Sequence, residues 1–420
     1  MSAVSAGPTS LDRRLGLGDA VFIGLGSMIG AGVFAAYGPA ARAAGTGLLL
    51  GLVAAAVVAY CNATASAQLA AAYPRAGGTY LYGREVLGDW WGYLAGWGFL
   101  VGKTASCAVM ALTFAAYVAP EGGRRPVAAA LVVVLTLVNC AGVARTALLT
   151  RVLVSLVLVA LAVASVSCFR HGSTAGLQGW ASPDHGAYGV LQSAGLLFFA
   201  FAGYARIATL GEEVRDPARV IPRAVLLALA GAVVVYAVVA VAVLSALGPD
   251  DTAASAAPVM DAVRATSPGW VAGLVRVGAG LASAGALLAL IAGLGRTALA
   301  MARERDLPGW LDAVHPRFRV PHRAELTVAA LVVVLVLTTD LRGAIGFSSF
   351  GVLLYYFVAN VAASRQPAVA RRFPKWLQVT GGAGCVTLVA ALPWQSVVAG
   401  VLVYVVGIGA RLARLRWAMR

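Results

Sequence analysis

Charge is scarce in this chain. Of its 420 residues only 12% are charged, roughly half the share of a soluble globular domain. So few charges cannot cover a water-facing surface, which excludes an ordinary soluble protein and makes lipid the solvent for most of the molecule. Acidic residues are the scarcer sign, 17 against 32 basic ones. The resulting +15 is scattered in short segments between apolar runs and never lies on one face with aromatics interleaved. That pattern excludes a nucleic-acid surface. Cysteine is limited to Cys61, Cys107, Cys140, Cys168 and Cys385. All lie in or beside apolar runs, without a CxxC pair, so they read as small packing residues and form no disulfide framework. The four histidines, His171, His185, His315 and His322, fall between runs and are not spaced as metal ligands. No metal and no cofactor is expected.

Long polar stretches are also missing. The longest loops, near 248–270 and 302–323, are too short for an independent water-soluble core. Residues 1–420 therefore read as a single integral membrane domain. The polar stretch 1–14 lacks the pattern of a cleavable signal and reads as a tail.

Apolar sequence is abundant: 60% of residues are hydrophobic and the mean hydropathy is +0.84. About twenty apolar residues cross a bilayer as a helix. Twelve such runs are found, near 17–38, 46–71, 87–118, 126–142, 148–169, 187–210, 223–247, 271–301, 324–340, 342–363, 376–393 and 395–412. Most Arg and Lys residues fall in the terminal segments and in every second loop. A minority, Arg42, Arg124, Arg125, Arg170, Arg264, Arg276 and Arg342, falls on the other side. This bias predicts a multi-pass protein of the plasma (inner) membrane with both termini cytoplasmic. An even number of spans agrees with it.

Two runs are interrupted by glycine. The first contains Gly24, Gly26, Gly30 and Gly32 within Gly24-Leu25-Gly26-Ser27-Met28-Ile29-Gly30-Ala31-Gly32-Val33-Phe34. Glycine at this density weakens a helix, and unwound backbone at membrane depth survives only where it lines a cavity or is buried in protein. One reading is a broken helix whose free N–H groups hold a carboxylate. The other is a small-residue packing face, since Gly26 and Gly30 have GxxxG spacing. The second interrupted run, Phe198-Phe199-Ala200-Phe201-Ala202-Gly203-Tyr204-Ala205-Arg206, opens the second half of the chain. Its placement predicts an inverted repeat, 15–169 and 187–363, followed by two further helices over 376–412 and a tail over 413–420.

These segments resemble the amino acid–polyamine–organocation (APC) superfamily. Its first-helix pattern, G-x-x-I-G-x-G-I-F, is matched by Gly26 to Phe34, and its sixth-helix pattern by Phe198 to Tyr204. The latter continues into Glu212-Glu213-Val214-Arg215-Asp216-Pro217-Ala218-Arg219-Val220-Ile221-Pro222. Tyr73 to Tyr80 and Arg296 to Pro308 supply further ordered motifs. The resemblance runs from about Leu15 through the tenth run and implies an all-α LeuT-type 5+5 inverted repeat working by alternating access. It implies an amino acid permease whose partners are a small amine-carboxylate substrate and the lipid bilayer. The backbone of Ser27, Met28, Ile29, Gly30, Ala31 and Gly32 would receive the substrate carboxylate. That of Phe201, Ala202, Gly203 and Tyr204 would receive its amino group, with Phe199, Phe201 and Tyr204 as aromatic gate and wall.

Charges inside the runs refine the expectation. Lys103 lies midway along the third run and Arg206 follows the second interruption. Intramembrane cations are functional by default, though Lys103 has snorkelling or helix-end carbonyls as a plain alternative, and Arg206 has carbonyls freed by the break. No Asp or Glu is read as lying deep in a run. A cationic pocket of this kind predicts a neutral or acidic amino acid. Proton-coupled relatives carry a lysine in the fifth helix; 148–169 has Arg151 and Ser155 but no lysine, a departure from that pattern. Coupling is then assigned to H+ through Lys103, with Na+ near the first break and Ser283 as the alternative. The charged stretch after the sixth run predicts a cytoplasmic gate of Glu212 or Glu213 facing Arg75 or Arg84, against a plain reading as solvated charge. The spans hold no convergent catalytic set, so an enzyme is not expected. An exchanger, or a transport-like sensor or scaffold, are the competing functions.

Overall fold

The computed structural model describes residues 15–74, 77–142, 147–178, 186–211 and 213–418. They fold into α-helices joined by short turns. The first run is divided into α1 (Leu17–Met28), α2 (Gly32–Ala35) and α3 (Tyr37–Ala44), and is followed by α4 (Leu48–Ala72). A short helix, α5 (Gly78–Leu87), precedes α6 (Asp89–Val118), α7 (Arg124–Cys140) and α8 (Ala147–His171). The sixth run is α9 (Gly186–Phe201), a 3-10 turn (Ala202–Tyr204) and α10 (Ala205–Ala208). Then come α11 (Pro217–Ala254), α12 (Pro258–Thr266), α13 (Gly269–Arg303), α14 (His322–Thr338), α15 (Leu341–Arg365), α16 (Lys375–Ala391) and α17 (Trp394–Ala418).

Every apolar run is helical. Among the described residues, ten helical segments are long and apolar enough to cross a membrane. The two remaining runs form α14 and α16, of 17 residues each. The protein is a polytopic membrane protein.

Because lipid is as apolar as leucine, helices in a membrane associate through close packing of small residues. The contact of α6 with α15 illustrates it. A side chain at Gly351 would lie 2.7 Å from Gly98 O and 2.8 Å from Gly102 Cα, so the two backbones nearly touch. Ser106 and Ser348 add a hydroxyl pair at 2.7 Å one turn further on. Helices α7 and α8, by contrast, keep exposed Val133, Val134, Leu137, Leu148, Leu156 and Val159, as lipid-facing helices should.

Glu325 is enclosed although it stands at the very start of its run. This residue, in the first turn of α14, is only 2% exposed. Gly295 of α13 leaves room for it, and the Cys140 thiol of α7 lies 3.6 Å from Oε2. Its enclosure is set by the fold, which brings α7 and α13 around it.

Candidate functional site

The first run breaks where the glycines predict. Ile29 leaves the helical region (ψ 47°) although its N–H still reaches Leu25 O at 2.7 Å. Beyond it, the N–H groups of Gly30 and Ala31 have no acceptor among the described residues. Helix resumes at Gly32, and Ala36 links α2 to α3 in right-handed helical conformation. Gly30 and Ala31 are buried with Met28 and Ile29, so among the described residues these amides are free donors away from water.

The second interruption differs from expectation. The chain does not unwind there: it tightens into a 3-10 turn over Ala202–Tyr204 and continues. Gly203 serves close approach instead. A side chain there would collide with the carbonyl of Ser27 and the backbone of Met28, and one at Gly32 would collide with Ala200. The two interruptions therefore touch, backbone to backbone.

Tyrosines satisfy the carbonyls these irregularities release. The Tyr236 hydroxyl of α11 lies 2.7 Å from Met28 O and 2.9 Å from Ala200 O, bridging the two segments. The Tyr117 hydroxyl donates to Phe34 O at 2.8 Å. The Ala202 carbonyl receives the Lys103 ammonium at 3.1 Å and the Tyr356 hydroxyl at 3.2 Å. Lys103 is 8% exposed and has no carboxylate partner among the described residues. Its cation is held by a carbonyl dipole of the interruption itself.

Phe201 packs on the Tyr236 ring (4.9 Å between centroids) and Tyr204 on Tyr356 (5.0 Å), while Phe199 is also buried. Arg206 is half-buried and donates to the Thr209 hydroxyl at 3.3 Å, not to a freed carbonyl. Ser283 on α13 is fully buried, and its hydroxyl has no partner among the described residues. Its neighbour Ala282 and Ala286, one turn on, face Gly30 in the first break.

Of the gate residues, Arg75 and Glu212 lie outside the described residues. Arg84 is not brought to Glu213. It pairs with Asp306 (2.9 Å), Asp89 (3.0 Å) and Glu304 (3.3 Å), carboxylates that the ends of α6 and α13 place closer. Glu213 instead joins a backbone pairing in which Leu15 N–H donates to Glu213 O and Arg215 N–H to Leu15 O, both at 3.0 Å. Asp19 pairs with Arg151 at the same end of the bundle. Burial lifts the Asp306 carboxyl above the ordinary carboxylate range, against the pull of Tyr80, Arg411 and Arg84.

Tyr236, Tyr356 and Asp306 were missed from sequence. Tyr236 stands alone in the Val233-to-Val239 stretch, a polar tip in an aliphatic run, and that was the available signal. Asp306 hid inside the run Arg303-Glu304-Arg305-Asp306, which reads as solvated.

The fold is that of a polytopic membrane protein whose two helix interruptions touch. The chain belongs to the amino acid permease family of the APC superfamily, whose family model matches residues 15–409. This is a family of transporters, not of enzymes. The chain is 59% identical to an uncharacterized transporter of Mycobacterium tuberculosis, over 96% of this chain and 91% of that one. It is 26% identical to a branched-chain amino acid permease of Bacillus subtilis, covering 94% and 91%. It is 28% identical to the chloroplastic cationic amino acid transporter 6 of Arabidopsis thaliana, covering 84% and 66%.

Proposed function

We propose that this protein is a secondary active transporter carrying a neutral or acidic amino acid by alternating access between two five-helix repeats. Residues 15–169 and 187–363 form the repeats, all twelve helical runs span the membrane, and both termini are cytoplasmic. The observation that carries the reading is the pair of free amides at Gly30 and Ala31, beside the point where Gly203 rests on Ser27 and Met28. Free N–H groups at the start of a resumed helix attract a carboxylate, and carbonyls of the 3-10 turn suit an ammonium. Phe199, Phe201 and Tyr204 form the wall.

Lys103 selects among substrates. A buried cation with only dipoles around it disfavours a second cation nearby, by Coulomb repulsion that low dielectric strengthens. The branched-chain permease supports a neutral substrate, while the cationic transporters of Arabidopsis differ from this chain's proposed preference. Proton coupling is assigned to Lys103, since no lysine occupies α8. The orphaned hydroxyl of Ser283 favours a second reading, sodium bound between α13 and the first break.

The test is uptake into proteoliposomes of a labelled panel containing leucine, alanine, glutamate and lysine. Saturable leucine, alanine or glutamate uptake, driven by an imposed pH gradient and not competed by lysine, is expected. Saturable lysine uptake that neutral amino acids compete poorly would overturn the substrate class. Absence of any uptake would favour a sensor or scaffold.

A further inference from the structure

Helix α5 lies across the ends of the elements that carry the site. The Tyr82 hydroxyl donates to Ala208 O at the end of α10 (3.3 Å), and the Thr79 N–H donates to the Tyr355 hydroxyl of α15 (3.1 Å). Tyr355 in turn packs on Tyr356, which holds the Ala202 turn. Gly78 adopts φ +56°, and a side chain there would meet the Tyr355 hydroxyl. The helix is thus seated tightly against the end of α10 and against α15.

On its other face, α5 meets one buried carboxylate, Asp306, beside the more exposed Asp89 and Glu304. Asp306 is 2% exposed and accepts from the Tyr80 hydroxyl (2.8 Å) and from Arg84. Its other oxygen is held at 3.0 Å by Arg411, which arrives from the far C-terminal helix α17. Arg411 is itself buried, donates to Asp89 O at 3.0 Å, and lies 4.5 Å from the ring centroids of both Trp90 and Tyr93. A carboxylate this enclosed keeps its place only while several donors surround it. Arg84 alone is a poor substitute, being shared with Asp89 and Glu304.

We infer that Arg411 is a positioning residue for the cytoplasmic gate. Acting through Asp306, it holds that helix closed over Ala208 and Tyr355. The assignment rests on the alternating-access reading for its direction, cytoplasmic side inward. It gives α17, which lies outside both repeats, a part in setting how often the pathway opens to the cytoplasm.

The test reads helix position directly. Ala208→Cys, 3% exposed beneath α5, is introduced into the full chain with its native cysteines replaced. It is labelled with a membrane-impermeant maleimide in inside-out vesicles, and the rate is normalised to protein that remains monodisperse. Arg411→Gln and Asp306→Asn are each expected to raise the labelling rate roughly tenfold, a modest fraction of what breaking a buried pair costs. The double variant should label no faster than either alone, and Arg411→Lys should fall between. An unchanged rate in whichever Arg411 variant folds overturns the proposal. Loss of folded protein in both Arg411 variants also overturns it, since Arg411 would then serve folding and not gate position. Labelling needs no substrate, so failure of the uptake panel would leave this result readable, and the reverse holds as well.

Discussion

The Lys103 ammonium donates to the Ala202 carbonyl at 3.1 Å, joining the middle of α6 to the 3-10 turn of the sixth run. The bond ties the one buried lysine of the membrane region to backbone that shifts in the alternating-access cycle proposed above. Its placement makes Lys103 sensitive to the conformation of that turn, and the turn sensitive to the charge on Lys103.

Lys103→Ala should abolish dependence of uptake on the pH gradient while the protein still folds, because Tyr356 continues to satisfy Ala202 O. Uptake by purified variant in proteoliposomes, with and without an imposed gradient, checks it. An unaltered gradient response would remove Lys103 from coupling.

Gly203→Ala should be costly for so small a change. Its added methyl meets the Ser27 carbonyl and Met28 backbone, which cannot rotate away as a flexible side chain would. Overpacking of this kind costs about 1–3 kcal/mol. A lowered melting temperature in detergent, together with weakened substrate binding, is the expected result. A variant as stable as the parent would show the interruptions to be farther apart.

Tyr236→Phe keeps the ring against Phe201 but strips the hydroxyl from Met28 O and Ala200 O. Leaving buried acceptors unsatisfied costs about 1–3 kcal/mol. The maximal uptake rate should fall by roughly tenfold, in line with an energy of that size. Measuring rate against substrate concentration separates this from a loss of affinity.

Ser283→Ala removes a hydroxyl that bonds to nothing among the described residues. Uptake should stay within about twofold of the parent, since deleting an unpaired buried polar group is close to neutral. A sodium requirement present in the parent and lost in the variant would instead place sodium at this position.

Much of this architecture was legible because membrane helices announce themselves by length and apolarity. The glycines Gly24, Gly26, Gly30 and Gly32 left a broken helix and a packing face both open, and the structure shows both: a break after Ile29, and close approach at Gly26, Gly30 and Gly32. The sixth run was harder. Whether a chain with one glycine unwinds or merely tightens depends on what packs around it, here Tyr236 and Lys103 from distant helices. Charges at the membrane edge were the least legible. Asp306 and Glu304 sit two residues apart in one charged run, yet the first is enclosed and the second exposed. The arrival of Tyr80 and Arg84 from α5 and of Arg411 from α17 distinguishes them.

The near-contact of Gly98 and Gly102 with Gly351 has a mechanical corollary. Backbones pressed together without intervening side chains cannot slide past each other easily, so α6 and α15 form a single stiff beam. Lys103 and Tyr356 project from that beam as two prongs gripping the same oxygen atom. A displacement of the Ala202 turn therefore acts on both grips together.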